Sequence, residues 1–148
     1  LKAPWKRLSM KEAIKTYGQI DVDHLSDEEI RNILLKHDHI DPKAVRQSSR
    51  GLLIAMLFEE FAEKHLIQPH HIIDHPIETT PLCKLHRDPK QRKERFVERF
   101  ESFIFGREMC NSYTELNDPE LQRELLVEQA EKKAAGDQEA NPLDEEFI

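Results

Sequence analysis

The sequence predicts an α+β fold, with a helical first portion (residues 1–67) and a second portion (68–148) that mixes antiparallel strands with a helix. Three observations carry that prediction. Apolar residues recur at helical spacing through the first half. Two aromatic-rich runs flank Gly106 in the manner of a hairpin, and Asp118-Pro119 opens a further helix behind them.

Taken in order, Ser9-Met10-Lys11-Glu12 places a hydroxyl at an N-cap and a carboxylate three residues on, a capping box whose helix should end at Gly18. Ser26-Asp27-Glu28-Glu29 repeats the device, and Ile30, Ile33 and Leu34 supply an apolar stripe that predicts a helix stopping near His37. Past Asp41-Pro42, the run from Leu52 to Leu66 sets Leu53, Met56, Leu57, Phe61 and Leu66 close to one face, with Glu59, Glu60, Glu63 and Lys64 directed to water. Pro69 ends that helix, and the following His70-His71-Ile72-Ile73-Asp74-His75 reads as a short strand closed by Pro76. A loop follows, and the basic stretch Asp88 to Arg95 has the texture of a surface loop. Phe96–Phe105 and Glu108–Leu116 form the predicted hairpin, and the last helix should run from Asp118-Pro119 to a stop at Gly136. No repeat or low-complexity tract interrupts this plan.

Composition narrows the function. Hydrophobic residues make up 38% and charged residues 34% of 148, a polar but globular balance. A net charge of -7 is the wrong sign for a chain that grips nucleic acid by its phosphates over its whole surface, so any nucleic-acid contact must be local or lie outside this segment. The two cysteines, Cys83 and Cys110, form no C-x-x-C pattern, which points to a reducing cytoplasm. No run approaches a membrane span, and the first residues lack the apolar core of a signal peptide. The absence of an initiator Met suggests a cut-out segment or a processed chain.

The hairpin carries the chemistry. On a strand, Asn111, Tyr113 and Glu115 share one face: an amide, an aromatic wall and a carboxylate, a set that is costly to bury for stability alone. Such a set suits a ligand that is cationic and partly aliphatic, because Glu115 can make a charge-assisted hydrogen bond to an ammonium. Glu101 and Glu108 flank the turn and supply hard oxygen ligands suited to Mg²⁺ bound jointly with nucleotide phosphates. Parity puts Glu108 on the wrong face relative to Asn111, so a shared site requires a bulge or twist between 108 and 111. An exposed strand face with ordinary surface carboxylates is the competing reading.

The run Arg99-Phe100-Glu101-Ser102-Phe103-Ile104-Phe105-Gly106-Arg107-Glu108-Met109-Cys110-Asn111-Ser112-Tyr113-Thr114-Glu115-Leu116-Asn117-Asp118 resembles a segment of bacterial-type class II lysyl-tRNA synthetases, approximately RFE-x-F-x-x-G-x-E-x-x-N-x-[FY]-x-ELND. Collinear agreement comes from Leu8 to Lys15, from Phe58 to Pro69, from Thr80-Pro81-Leu82 and from Ala134-Ala135-Gly136-Asp137. The resemblance implies a helical insertion followed by part of the class II antiparallel sheet with flanking helices, lying between the family's second and third motifs. It implies Mg²⁺ coordination by Glu101 and Glu108, with ATP as substrate. It also implies lysine recognition by Asn111, Tyr113 and Glu115, Tyr113 standing where Phe is common. The implied reaction activates L-lysine with ATP to lysyl-adenylate and transfers it to tRNA(Lys), in a homodimeric cytoplasmic parent with no membrane association. No side chain here is assigned as a catalytic acid or base. The second motif, the Gly-rich third motif and an anticodon-binding barrel are not found in this sequence, so the chain alone is expected to be inactive in pyrophosphate exchange.

Other readings stay open on sequence alone. One is a synthetase paralogue that lysylates a protein, although the Glu115-Leu116-Asn117-Asp118 run and the helical insertion lean toward the tRNA enzyme; the other is a non-catalytic interaction module formed by the helical portion. His71, His75, Cys83 and His86 have spacings compatible with zinc, although histidines around a strand are more often polar packing residues. His37 and His39 have less support, since residues two apart on a helix face apart. The basic cluster Lys84, Arg87, Lys90, Arg92, Lys93 and Arg95 lacks interleaved aromatics and reads as a solvated loop before it reads as an RNA contact.

Overall fold

The computed structural model describes residues 1–134 and 143–146. A four-stranded sheet of order β1-β2-β3-β4 is built from β1 (Lys6–Ser9), β2 (His70–Pro76), β3 (Phe96–Ile104) and β4 (Arg107–Tyr113). The β1–β2 pair is parallel and the other two pairs are antiparallel. Between β1 and β2 lie the helices α1 (Met10–Ala13), α2 (Asp27–Leu34), α3 (Pro42–Gln47) and α4 (Arg50–Phe61). A short α5 (Pro89–Lys93) precedes the hairpin and α6 (Pro119–Ala134) follows it. No helix among the described residues is long and apolar enough to cross a membrane.

Both capping boxes form. The Ser9 hydroxyl accepts from the Glu12 N–H at 3.1 Å while the Glu12 carboxylate accepts from the Ser9 N–H, and Ser26 and Glu29 do the same. α1 continues through a π-type turn, Ile14–Gly18, before the chain leaves at Gln19 in a left-handed conformation. α2 ends near the expected position, and α4 ends at Phe61 with a 3₁₀ turn, Glu63–His65, carrying the chain to Leu66. Strand β2 coincides with the predicted segment and is closed by Pro76. The expected helix stop at Gly136 lies outside the described residues.

Two elements depart from expectation. β1 pairs Lys6–Ser9 with His70–Ile73, a contact across more than sixty positions that no local pattern announces. The basic stretch forms α5, because Asp88 caps it by accepting from the Lys90 N–H at 2.7 Å and Pro89 sits in its first turn. Arg92 further ties the stretch down by donating to the carbonyls of His86 and Arg87.

The larger core packs α1, α2 and α4 against the sheet, joining Ile14, Ile30, Leu34, Leu53 and Leu57 to Ile72, Phe96 and Phe103. It therefore draws on both sides of residue 67. Phe58 of α4 meets Phe103 of β3 edge-on, with ring centroids 5.5 Å apart. A second, smaller core of Ile77, Cys83, Val97 and Leu125 seats α6 against the hairpin base. Gly51 lets α4 approach β2: a Cβ there would lie 2.9 Å from the Pro76 Cβ and closer still to the Glu78 carboxylate. α4 thus lies tight over the sheet, and Glu101 and Glu108 line the space between them.

Candidate active-site face

Hairpin register decides which side chains share that face. Arg99 pairs with Tyr113 and Glu101 with Asn111; the register then shifts, so that Ser102 pairs with Cys110 and Phe103 with Glu108. Met109 is the extra residue. Because paired residues project to the same side and alternate residues along β3 share a face, the bulge turns Glu108 onto the side of Glu101, Phe103 and Asn111. The side-chain amide of Asn111 accordingly donates to Glu108 Oε1 at 3.0 Å. Arg99, Glu101, Glu108, Asn111 and Tyr113 therefore stand on one sheet face.

Glu115 lies just past β4, where its backbone bridges Cys83. The bridge is flanked by Leu116 N–H to Leu82 O at 3.0 Å and Lys84 N–H to Thr114 O at 2.9 Å. Burial pushes the Cys83 thiol up, and the charges of both Glu115 and Glu101 add to that push. The Asn111 and Glu115 side chains are exposed, whereas Tyr113 is half-buried against the smaller core. Cys110, Ser112 and Thr114, on the other face, are exposed.

Between this face and α4 lies a cavity of about 210 Å³ lined by Met10, Phe58, Glu59, Glu63, His75, Arg99, Glu101, Phe103 and Glu108 among others. Its electrostatics are acidic. Burial raises the Glu101 carboxyl above the usual carboxylate range; Arg99 opposes that, and the charges of Glu108 and Glu63 reinforce it. Burial also raises Glu63, with Glu108 adding to it. Arg99 donates to Glu101 Oε1 at 2.6 Å, and its Nε is buried without a partner among the described residues. His75 is 2% exposed and donates from Nε2 to the Ile72 carbonyl at 3.0 Å. Burial depresses His75 to about 4, so its 3.9 Å approach to Glu101 is not an ion pair at neutral pH.

The donor chemistry fits a hard divalent cation. Carboxylate oxygens crowded enough to push one another's pKa upward gain most from a positive ion. The fit is incomplete in the free chain, since Glu63, Glu101 and Glu108 do not bring three donors within 4.8 Å of one another among the described residues. Remaining ligands would come from phosphate oxygens and water, as is usual for Mg²⁺.

Sequence reading missed Glu63 and Arg99, and offered His75 only as part of a zinc spacing. Arg99 was recoverable, being two residues before Glu101 on the same strand. Glu63 was not, because the helical pattern assigns it to solvent and only the tertiary approach of the hairpin turns it inward. The zinc spacing does not converge: His71 hydrogen-bonds Ser102 at 2.8 Å, His75 is bound to a carbonyl, and His86 lies 3.3 Å from Asp74. A wider cleft of about 460 Å³, lined by Arg7, Asp74, His86, Glu98 and Phe100 among others, touches only Tyr113 of the expected residues. Glu98, beside it, is held down to about 2 by hydrogen bonds from Arg87 and Thr114. Its charge is already matched, so the wider cleft offers less unpaired chemistry than the smaller cavity.

Helices folded over a mostly antiparallel sheet, with an acidic cavity between them, agree with part of a class II synthetase catalytic domain. The family model described as tRNA synthetases class II (D, K and N) matches residues 1–148, and the chain belongs to that family. Within it the similarity is to the lysyl branch. A lysine–tRNA ligase of Chlamydia caviae is 55% identical over 148 residues, one of Clostridium perfringens 43% over 146, and one of Clostridium kluyveri 40% over 148. These matches cover 98–99% of this chain, which spans only 28–29% of the length of those relatives.

Proposed function

We propose that this chain supplies the lysine-recognition strand and the metal carboxylates of a lysine–tRNA ligase that activates L-lysine with ATP and transfers it to tRNA(Lys). The observation that carries this reading is the bulge at Met109, which turns Glu108 to the side of Glu101 and Asn111. Bulges are common on edge strands such as β4, so the support lies in which residues this one brings to a common face. Residues 1–67 act as the helical insertion and 68–148 as part of the catalytic core. The whole enzyme works as a cytoplasmic homodimer.

Glu101 and Glu108 would hold Mg²⁺ together with nucleotide phosphate oxygens, and the bound ion would neutralise phosphate charge during adenylation. Arg99 positions Glu101 through its 2.6 Å hydrogen bond and keeps a buried N–H for an anionic ligand. Asn111 braces Glu108 and retains its carbonyl oxygen as an acceptor for a ligand amine. Tyr113 offers a ring for the methylenes, and Glu115 accepts from the ε-ammonium. Catalysis on this plan is positioning and charge neutralisation, with no side-chain base.

The test grafts this chain in place of the matching segment of the Chlamydia caviae ligase and measures lysine affinity and lysine-dependent pyrophosphate exchange. Glu115→Gln should weaken lysine binding by about 1–3 kcal/mol, the cost of losing a charged hydrogen bond, while leaving ATP binding intact. Unchanged lysine affinity in that variant would remove Glu115 from the pocket.

A further inference from the structure

The helical layer holds a second group of ligating side chains that shares nothing with the acidic face. His37 and His39 lie in the turn between α2 and α3 rather than on a helix, so the argument that residues two apart face apart does not apply. Both imidazoles converge on Glu60 in the last turn of α4. His37 Nδ1 is 3.4 Å from Glu60 Oε1, and His39 Nε2 is 2.8 Å from Glu60 Oε2. One ligand atom from each residue lies within 4.8 Å of the other two, the one such trio among the described residues.

We propose that His37, His39 and Glu60 form a divalent transition-metal site, best suited to Zn²⁺, that clips the α2–α3 turn to α4. The ligand set is one that zinc accepts: two neutral imidazoles and a carboxylate, with a further position left to water. Bonds of about 2.0–2.1 Å in tetrahedral geometry place donors roughly 3.4 Å apart, so the existing spacings need only small adjustment. Both sides of the site are already held. His37 packs edge-on against Phe61 with centroids 5.1 Å apart, and its backbone N–H donates to Leu34 O at 3.1 Å. Glu60 is only 17% exposed, whereas His39 is 67% exposed and leaves an entry path. The competing charge is Lys64, whose Nζ sits 4.0 Å from Glu60 Oε1 on a side chain 62% exposed that can swing aside. Ni²⁺ and Cu²⁺ would also bind, in the order their general affinities dictate.

The experiment titrates the chelator-treated 148-residue chain with Zn²⁺ by calorimetry, beside His39→Gln, Glu60→Gln and the double variant His37→Gln/His39→Gln. Circular dichroism without metal checks that each variant folds; His39, exposed in a turn, is the safest single change. The site predicts one equivalent of Zn²⁺, a loss of at least about tenfold in affinity for His39→Gln, and near-complete loss in the double variant. Zn²⁺ should raise the Tm of the parent chain and not that of His39→Gln. Cu²⁺ electron paramagnetic resonance should report two nitrogen ligands in the parent chain only. Equal Zn²⁺ affinity and stoichiometry in the parent chain and His39→Gln would overturn the proposal, as would the absence of a bound equivalent in the parent chain.

Discussion

His75 shows how a single side chain links the fold to pH. Buried beneath α4 with its Nε2–H donated to the Ile72 carbonyl, it is held to about 4 by burial. Its pKa is therefore lower in the folded than in the unfolded chain. The unfolded chain takes up the proton first, so this contribution is complete above about 6.5 and is lost as pH falls toward 4. At 1.36 kcal/mol per unit, acidification from pH 7 to 4 removes roughly 3 kcal/mol through this group. Glu101 works in the opposite sense, since its raised pKa means that protonation favours the folded chain. The two are separated by comparing parent chain and His75→Gln in urea titrations at several pH values. The variant should show a flatter acid limb, and parallel limbs would assign the acid sensitivity elsewhere. The sequence offered His75 only as one member of a metal spacing. Its burial follows from the irregular register between Ile73 and His75, with Asp74 at φ 58°, which no residue type there announces.

At the scale of the element, the β3–β4 turn is under the greatest backbone demand. Phe105 and Gly106 both adopt positive φ, 56° and 66°, the signature of the hairpin turn that matches strand twist. Their N–H groups donate to Ile67 O and Leu66 O, each at 3.0 Å, so the turn is docked on the end of the helical portion. A Cβ on Gly106 would lie 3.3 Å from the Lys64 Cα. Gly106→Ala should therefore cost about 1–2 kcal/mol in chemical denaturation, from the left-handed conformation and the close approach together. A loss below a few tenths of a kcal/mol would show that the turn is not so constrained. The hairpin was legible because Gly106 and the aromatic runs are local signals. The conflict of parity between Glu108 and Asn111 was legible too, and it pointed to the stretch where the register shifts. β1 was not, since four residues carry little pattern and its partner lies far along the chain. α5 carried the same Asp-Pro opening as α6 and was hidden by its charge and brevity.

On the scale of the whole molecule, α1, α4 and the 3₁₀ turn after α4 do more than decorate the sheet: they form one wall of the acidic cavity, with Glu59 and Glu63 as their contribution to its charge. The polar set of the hairpin was readable from sequence because strand alternation and the family resemblance both fall on it. The cavity itself was not, because its walls come from stretches far apart in sequence, Met10, Phe58 and Glu63 on one side and Glu101 and Phe103 on the other. The central claim is that the bulge at Met109 brings Glu108 to the face of Glu101 and Asn111, where its charge is used, and Glu108→Gln tests it most directly. In the grafted ligase, the substitution keeps an oxygen for the Asn111 amide and removes the charge beside Glu101. Lysine-dependent pyrophosphate exchange should then fall by at least about a hundredfold, the scale of losing a group that stabilises developing charge, while circular dichroism and Tm stay near those of the unsubstituted graft. Full exchange activity in a folded Glu108→Gln variant would contradict the account.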